Sequence, residues 1–109
     1  MDKKDPNMKY FLYKLIAPRS TFAQDMTEAE AKLMQEHGAY WGDLADNEIA
    51  VIFGPVLDPN GAWGLGVVEA EDESEVRALG ANDPVIKSGV GFQFEVYPML
   101  QAVLRKSVS

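Results

Sequence analysis

A single histidine, His37, occurs in the 109 residues, within the stretch MQEHGAYW at 34–41, and there is no cysteine. Imidazole is the side chain best suited to take and give protons near neutral pH, so acid–base chemistry is the reaction type this inventory favours. The missing thiols rule out a disulfide scaffold, a cysteine nucleophile and a thiolate metal site. A metal would have to be held by carboxylates, and the acidic run EAEDESE at 69–75 lacks the spacing of a calcium loop; it reads as a solvated turn and helix start. The glycines of GAWGLG, 61–66, do not form a dinucleotide fingerprint, because the run sits inside a predicted strand and no helix opens after it. Glycine there suits close approach of another part of the chain. No phosphate loop and no Gly-x-Ser-x-Gly elbow occur, and neither metal nor cofactor is expected.

What could work with His37 is Asp83 and the loop around Arg19. Asp83 stands at the junction of a predicted helix and the last strand, where a carboxylate has no obvious packing use, although Asp before Pro is also a common turn pair. Arg19 could clamp a substrate carboxylate or phenolate, or simply be a solvated loop arginine. Phe22, Trp41, Phe53 and Trp63 are candidates for the wall of a pocket, and equally for plain core packing. Gly38 and Gly42 flank the histidine inside a helix at a cost of about 1 kcal/mol each relative to alanine, which suggests that something approaches this helix closely. His37 itself could be no more than a hydrogen-bonded core residue.

These residues need elements to hold them. KYFLYKLI, 9–16, reads as a first strand, stopped by Ala17-Pro18, and PRSTFAQDM, 18–26, as a covering loop. Thr27 and Glu30 form a capping box that opens a helix. Leu33, Met34, Tyr40, Trp41, Leu44 and Ala45 make its buried stripe, with His37 on it, up to about Asp46-Asn47. Strands follow at 48–56 and 62–70 around the turn LDPNG, 57–61. A second helix is predicted at 73–81, capped by Asp72 or Ser74 with Val76 and Leu79 inward, and Asp83-Pro84 ends it. The last strand covers 91–99, where Phe92, Phe94 and Val96 alternate with polar or amphipathic neighbours. Residues 1–8 are polar and predicted to be a flexible head; 9–99 make up the domain; the tail at 100–109 has no clear assignment.

The order βαββαβ is that of a ferredoxin-like α+β fold: a four-stranded antiparallel sheet with two helices on one face. In the second and third strands both alternating sets are apolar or small, which a face open to water should not show. A homodimer joined sheet to sheet is the simplest cover. An apolar fraction of 47% with 25% charged residues is ordinary for one globular domain, and a formal charge of -7 would repel a nucleic-acid backbone. No apolar run is long enough for a membrane span and no signal peptide is evident, so a cytoplasmic protein whose partner is a small organic molecule is expected.

The single helix histidine, FGPV at 53–56, DPNG at 58–61, NDPVIKSGV at 82–90 and EVYPM at 95–99 together resemble the YCII-related (YciI-like) proteins of bacteria, over roughly residues 9–99. The resemblance implies a dimeric α+β barrel in which a helix histidine and the aspartate of a DP motif face a shared cleft; these correspond to His37 and Asp83. It also implies enzyme-like chemistry, with a link to dehydrochlorination of chlorinated aromatics and kinship with muconolactone-isomerase-like barrels. The PRSTFAQDM loop and the EHGAYW segment set this chain apart from the short type. Residues and resemblance together predict a cofactor-independent lyase or isomerase with His37 as acid or base and Asp83 orienting it. The alternative is a non-catalytic ligand-binding or accessory domain of the same fold.

Overall fold

The computed structural model describes residues 8–106; most of the predicted head and the last three residues lie outside them. The elements are β1 (Lys9–Ile16), α1 (Phe22–Asp25), α2 (Glu28–Asp46), β2 (Ala50–Val56), β3 (Trp63–Ala70), α3 (Glu73–Ala81), α4 (Pro84–Lys87) and β4 (Gln93–Pro98). The strands form one antiparallel sheet in the order β2-β3-β1-β4. This is the ferredoxin-like α+β arrangement predicted.

Alternation along β1 sends Phe11, Tyr13 and Leu15 into the core, opposite Val68, Gly66 and Gly64 of β3 and Pro98, Val96 and Phe94 of β4. Trp41 and Leu44 of α2, Val76 of α3 and Val85 of α4 bury against that face. Leu33, Met34, Tyr40 and Ala45 pack at its margin, so the predicted helix stripe is the real one. The hydroxyl of Tyr40 donates to the Leu79 carbonyl at 2.7 Å and ties α2 to α3. The other face of the sheet carries Leu12 and Lys14 of β1 and their neighbours, and among the described residues no helix packs over it.

The predicted caps are in place. Thr27 and Glu30 make the reciprocal capping box of α2, and Asp72 accepts from Glu75 N at the start of α3. Asp58 closes the β2–β3 turn by accepting from Asn60 N at 2.8 Å, while Gly61 takes φ +122°, a conformation that favours glycine.

Boundaries differ where helix ends and loops have their own geometry. β2 begins at Ala50 rather than 48, because α2 ends in a Schellman turn: Glu48 N donates to Ala45 O and Ile49 N to Leu44 O. Glu48 occupies the left-handed position at φ 63°, where glycine is usual. The covering loop contains the single turn α1. Asp83-Pro84 ends α3, as predicted, and also starts α4, with Asp83 as N-cap and Pro84 at the first helical position. The described part of the tail, 101–106, has no regular structure, and Leu100 and Val103 are exposed.

Candidate active site

Asp83 is the most completely enclosed polar side chain in the described structure, with 0% exposure. Its position follows from the chain turn between α3 and α4, where capping directs the carboxylate inward: Oδ1 accepts from Val85 N at 3.1 Å. Three side chains from two other elements converge on it. His37 Nδ1 donates to Oδ2 at 2.8 Å and to Oδ1 at 3.1 Å. Trp41 Nε1 donates to Oδ2 at 2.9 Å, and the Tyr13 hydroxyl lies 3.4 Å from the same oxygen. Buried polar groups have to be satisfied, and these donors satisfy the carboxylate on every side.

The arrangement fixes the imidazole. Nδ1 faces a carboxylate and therefore carries a proton, so in the neutral ring the lone pair resides on Nε2. Among the described residues Nε2 has no protein partner, yet no buried side-chain polar atom lacks one, so Nε2 is accessible. The His37 side chain is 14% exposed and borders a cavity of about 420 Å³. Burial, with the Asp83 carboxylate beside it, pushes the Tyr13 phenol far above its ordinary range and keeps it protonated.

The cavity lies at one end of the interface between the sheet and α2, roofed by α1. β1 and the residue after it contribute Tyr13, Leu15 and Ala17; α2 contributes Met34, His37, Gly38 and Trp41; α1 and its flank contribute Phe22, Ala23 and Met26. The β2–β3 hairpin adds Phe53, Gly54, Pro55 and Trp63, and Phe92 lies near the start of β4. None of the lining residues is charged. The interior beside His37 is therefore not solid.

His37, Asp83 and Trp41 are thus brought together, and Phe22 and Phe53 share the cavity wall with His37. Asp83 itself does not border the cavity; it sits behind the imidazole rather than facing the cleft beside it. Trp63 borders the cavity, but its indole N–H donates to Asp58 at 3.1 Å and the Lys14 ammonium lies 4.9 Å from its ring centre. Arg19 is elsewhere. Its guanidinium is committed to both oxygens of Glu30, at 2.8 and 3.0 Å, and to Asp25 at 2.8 Å. It fastens the covering segment to the start of α2 and leaves no donor fork pointed at a substrate acid.

The reading of the glycines needs correcting. A Cβ on Gly38 or Gly42 would meet no protein atom within 4 Å, so no neighbouring element approaches the helix there. The glycine that packing requires beside this site is Gly66, where a Cβ would lie 2.7 Å from the Trp41 ring. Trp41 reaches Asp83 only by lying across that bare stretch of β3. Tyr13 was missed as a site residue; its signal was the inward phase of KYFLYKLI, which buries a side chain with a polar tip.

Among the described residues no group of histidine and carboxylate side chains is set to hold a metal ion. No helix there is long and apolar enough to cross a membrane.

The model of the YCII-related domain matches residues 8–100. No curated protein matches. Solved structures similar to the chain include the uncharacterised protein TM1266 from Thermotoga maritima, 11% identical with TM-score 0.48, covering 84% of this chain and 98% of that one. NE2512 from Nitrosomonas europaea, a protein of unknown function, is 16% identical with TM-score 0.49, covering 93% and 98%. A monooxygenase from the gene ActVA-Orf6 of Streptomyces coelicolor, solved with nanaomycin D, is 14% identical with TM-score 0.47, covering 94% and 96%. The family match takes in every strand and helix described above, and the chain belongs to the YCII-related family.

Proposed function

We propose that the protein is a small-molecule enzyme of the lyase or isomerase type, in which His37 moves a proton and Asp83 holds it in position. The observation that carries this reading is the asymmetry of the imidazole: Nδ1 is pinned by a buried carboxylate 2.8 Å away, and Nε2 is the accessible edge of a side chain bordering an apolar cavity. In that state Nε2 can take a proton from a substrate carbon or oxygen, and Asp83 stabilises the imidazolium that results. Return of the proton to another atom of the same molecule completes an isomerisation; departure of a leaving group from the neighbouring atom completes an elimination. Tyr13 and Trp41 keep the carboxylate from rotating, and Phe22, Phe53 and Trp63 shape the space.

A second copy completes the molecule. Ile52 is 57% exposed on the helix-free face of the sheet, in line with Val67 of β3, and two-fold pairing of these faces gives the dimeric barrel. A single 12 kDa species by sedimentation at micromolar concentration would remove the dimer from this reading.

The proton transfer is tested with 5-nitrobenzisoxazole, an uncharged aromatic whose ring opens when a base removes its carbon-bound proton and the N–O bond breaks, giving a coloured cyanophenolate. The parent protein should open it faster than free imidazole at equal concentration, and His37→Ala should lose about 10²–10⁴-fold of the rate. Equal rates for the parent and a folded His37→Ala variant sink the proposal. One observation favours the alternative, a ligand-binding domain without chemistry: apart from His37 the wall offers a ligand only contact, and such a domain would bind but show no turnover at any pH.

A further inference from the structure

The cavity wall has a chemistry of its own. Of its side-chain polar atoms, the Tyr13 hydroxyl and Trp41 Nε1 are spent on Asp83 and Trp63 Nε1 on Asp58, which leaves His37 Nε2 alone for a ligand. No charged residue lines it, and the nearby cation, Arg19, is held by Glu30 and Asp25. Protonation of His37 does not change this, because its charge would face Asp83 at 2.8 Å and the pair would present no net positive charge. A carboxylate entering such a space would lose its hydration and gain at most one hydrogen bond, from a protonated His37 Nε2, with no net positive charge to face.

The second observation is Gly38, the residue after His37. It stands in the interior of α2, its absent side chain would touch no protein atom, and it lines the cavity. Helix interiors disfavour glycine, and no protein neighbour needs one here. The space in front of it is therefore available to a ligand. At about 420 Å³ the cavity is nearly three times the ~150 Å³ that encloses one benzene ring.

From these observations we infer that the cavity takes an uncharged aromatic molecule of more than one ring, lying against the bare backbone of Gly38 with a single polar group at His37 Nε2. The inference rests on the cavity being the working site and narrows its substrate from organic acids to neutral ring systems.

Equilibrium binding of 2-naphthol, 2-naphthoate and phenol, followed by tryptophan fluorescence and calorimetry, tests it without needing turnover. Naphthol should bind about 100-fold more tightly than naphthoate and at least about tenfold more tightly than phenol. Gly38→Leu, which no protein atom opposes, should keep the far-ultraviolet spectrum of the parent and lose naphthol binding. Should that variant not fold, Gly38→Ala should weaken naphthol at least threefold. Naphthoate within threefold of naphthol overturns the charge assignment. Phenol equal to naphthol overturns the size. A folded Gly38→Leu that binds like the parent, or an unaffected Gly38→Ala where Gly38→Leu does not fold, overturns the placement. Loss of 5-nitrobenzisoxazole opening with this binding pattern intact would count against proton transfer alone, so the two readings fail separately.

Discussion

Two ionic clusters hold the start and the middle of the same helix, and they differ in nearly everything but composition. Around Asp83, a carboxylate with 0% exposure gathers donors from β1, α2 and α4. Around Arg19, a guanidinium on a side chain 36% exposed gathers Asp25 and Glu30 from α1 and α2. Water reaches Arg19 and Asp25 readily, and it does not reach Asp83. Burial, more than the number of hydrogen bonds, therefore decides which cluster the fold depends on.

Breaking the inner cluster should have the largest effect. Asp83→Ala strands the His37, Trp41 and Val85 donors in a dry interior and removes the cap of α4, a loss of the order of 3–5 kcal/mol measured by urea unfolding. Asp83→Asn fills the same volume and separates the roles of the carboxylate. It should fold with a smaller loss, yet reduce proton transfer as much as about 10²-fold, because an amide no longer dictates which imidazole nitrogen carries the proton. Since the chain has one histidine, nitrogen NMR of the imidazole reads that tautomer directly. A single Nδ1-protonated form retained in Asp83→Asn would show that the cluster is not what sets it.

Gly66→Ala tests the support beneath the cluster. The added methyl would stand 2.7 Å from the Trp41 ring, and moving the ring shifts the indole N–H away from Asp83. Overpacking of this kind costs about 1–3 kcal/mol. Gly38→Ala is the counter-case, with a methyl in open space and better helix propensity. It should stabilise the fold by up to about 1 kcal/mol while taking room from the cavity. Opposite signs at two glycines on the same site would separate a glycine required by packing from one required by a ligand.

Legibility in the sequence follows the same division between inside and outside. Period and capping carry local information, so the strand KYFLYKLI, the Thr27–Glu30 box and the βαββαβ order could be read directly. His37 faces inward because its position on the stripe requires it. Asp83 was open to two readings, turn residue or site residue, and one geometry serves the cap and the contact: the side chain that caps α4 also aims its carboxylate at His37. What stayed hidden was long-range pairing. Nothing within PRSTFAQDM says that Arg19 will meet Glu30, eleven residues on, instead of a substrate. Nor does GAWGLG reveal that the tight contact at Gly66 is with an indole from α2 rather than with a strand.

The outer cluster should give the smallest effect and the one most dependent on conditions. Hydrogen bonds from Arg19, with the Thr27 amide, hold the Glu30 carboxyl at about 2, against 4.5 for a free one. A carboxyl with a lowered pKa binds fewer protons in the folded state, so its contribution is complete above pH 4.5 and is lost as pH falls toward 2. Asp25 is displaced in the same direction by Thr21 and Arg19. Arg19→Ala should therefore change the melting temperature little at neutral pH, and less again in about 1 M salt, where screening has already weakened the pairs. Its difference from the parent should shrink further below pH 4 as Glu30 takes up its proton. The same substitution should loosen α1, because the guanidinium also accounts for the Asp25 carbonyl at 3.1 Å and lies 5.3 Å from the Phe22 ring centre. Hydrogen exchange of the Phe22–Met26 amides would show this as faster exchange confined to the roof, with the amides of β1 and β3 unchanged. Faster exchange spreading to Trp41 or Val85 would mean that the two clusters are coupled, and that the roof and the His37–Asp83 pair move as one unit.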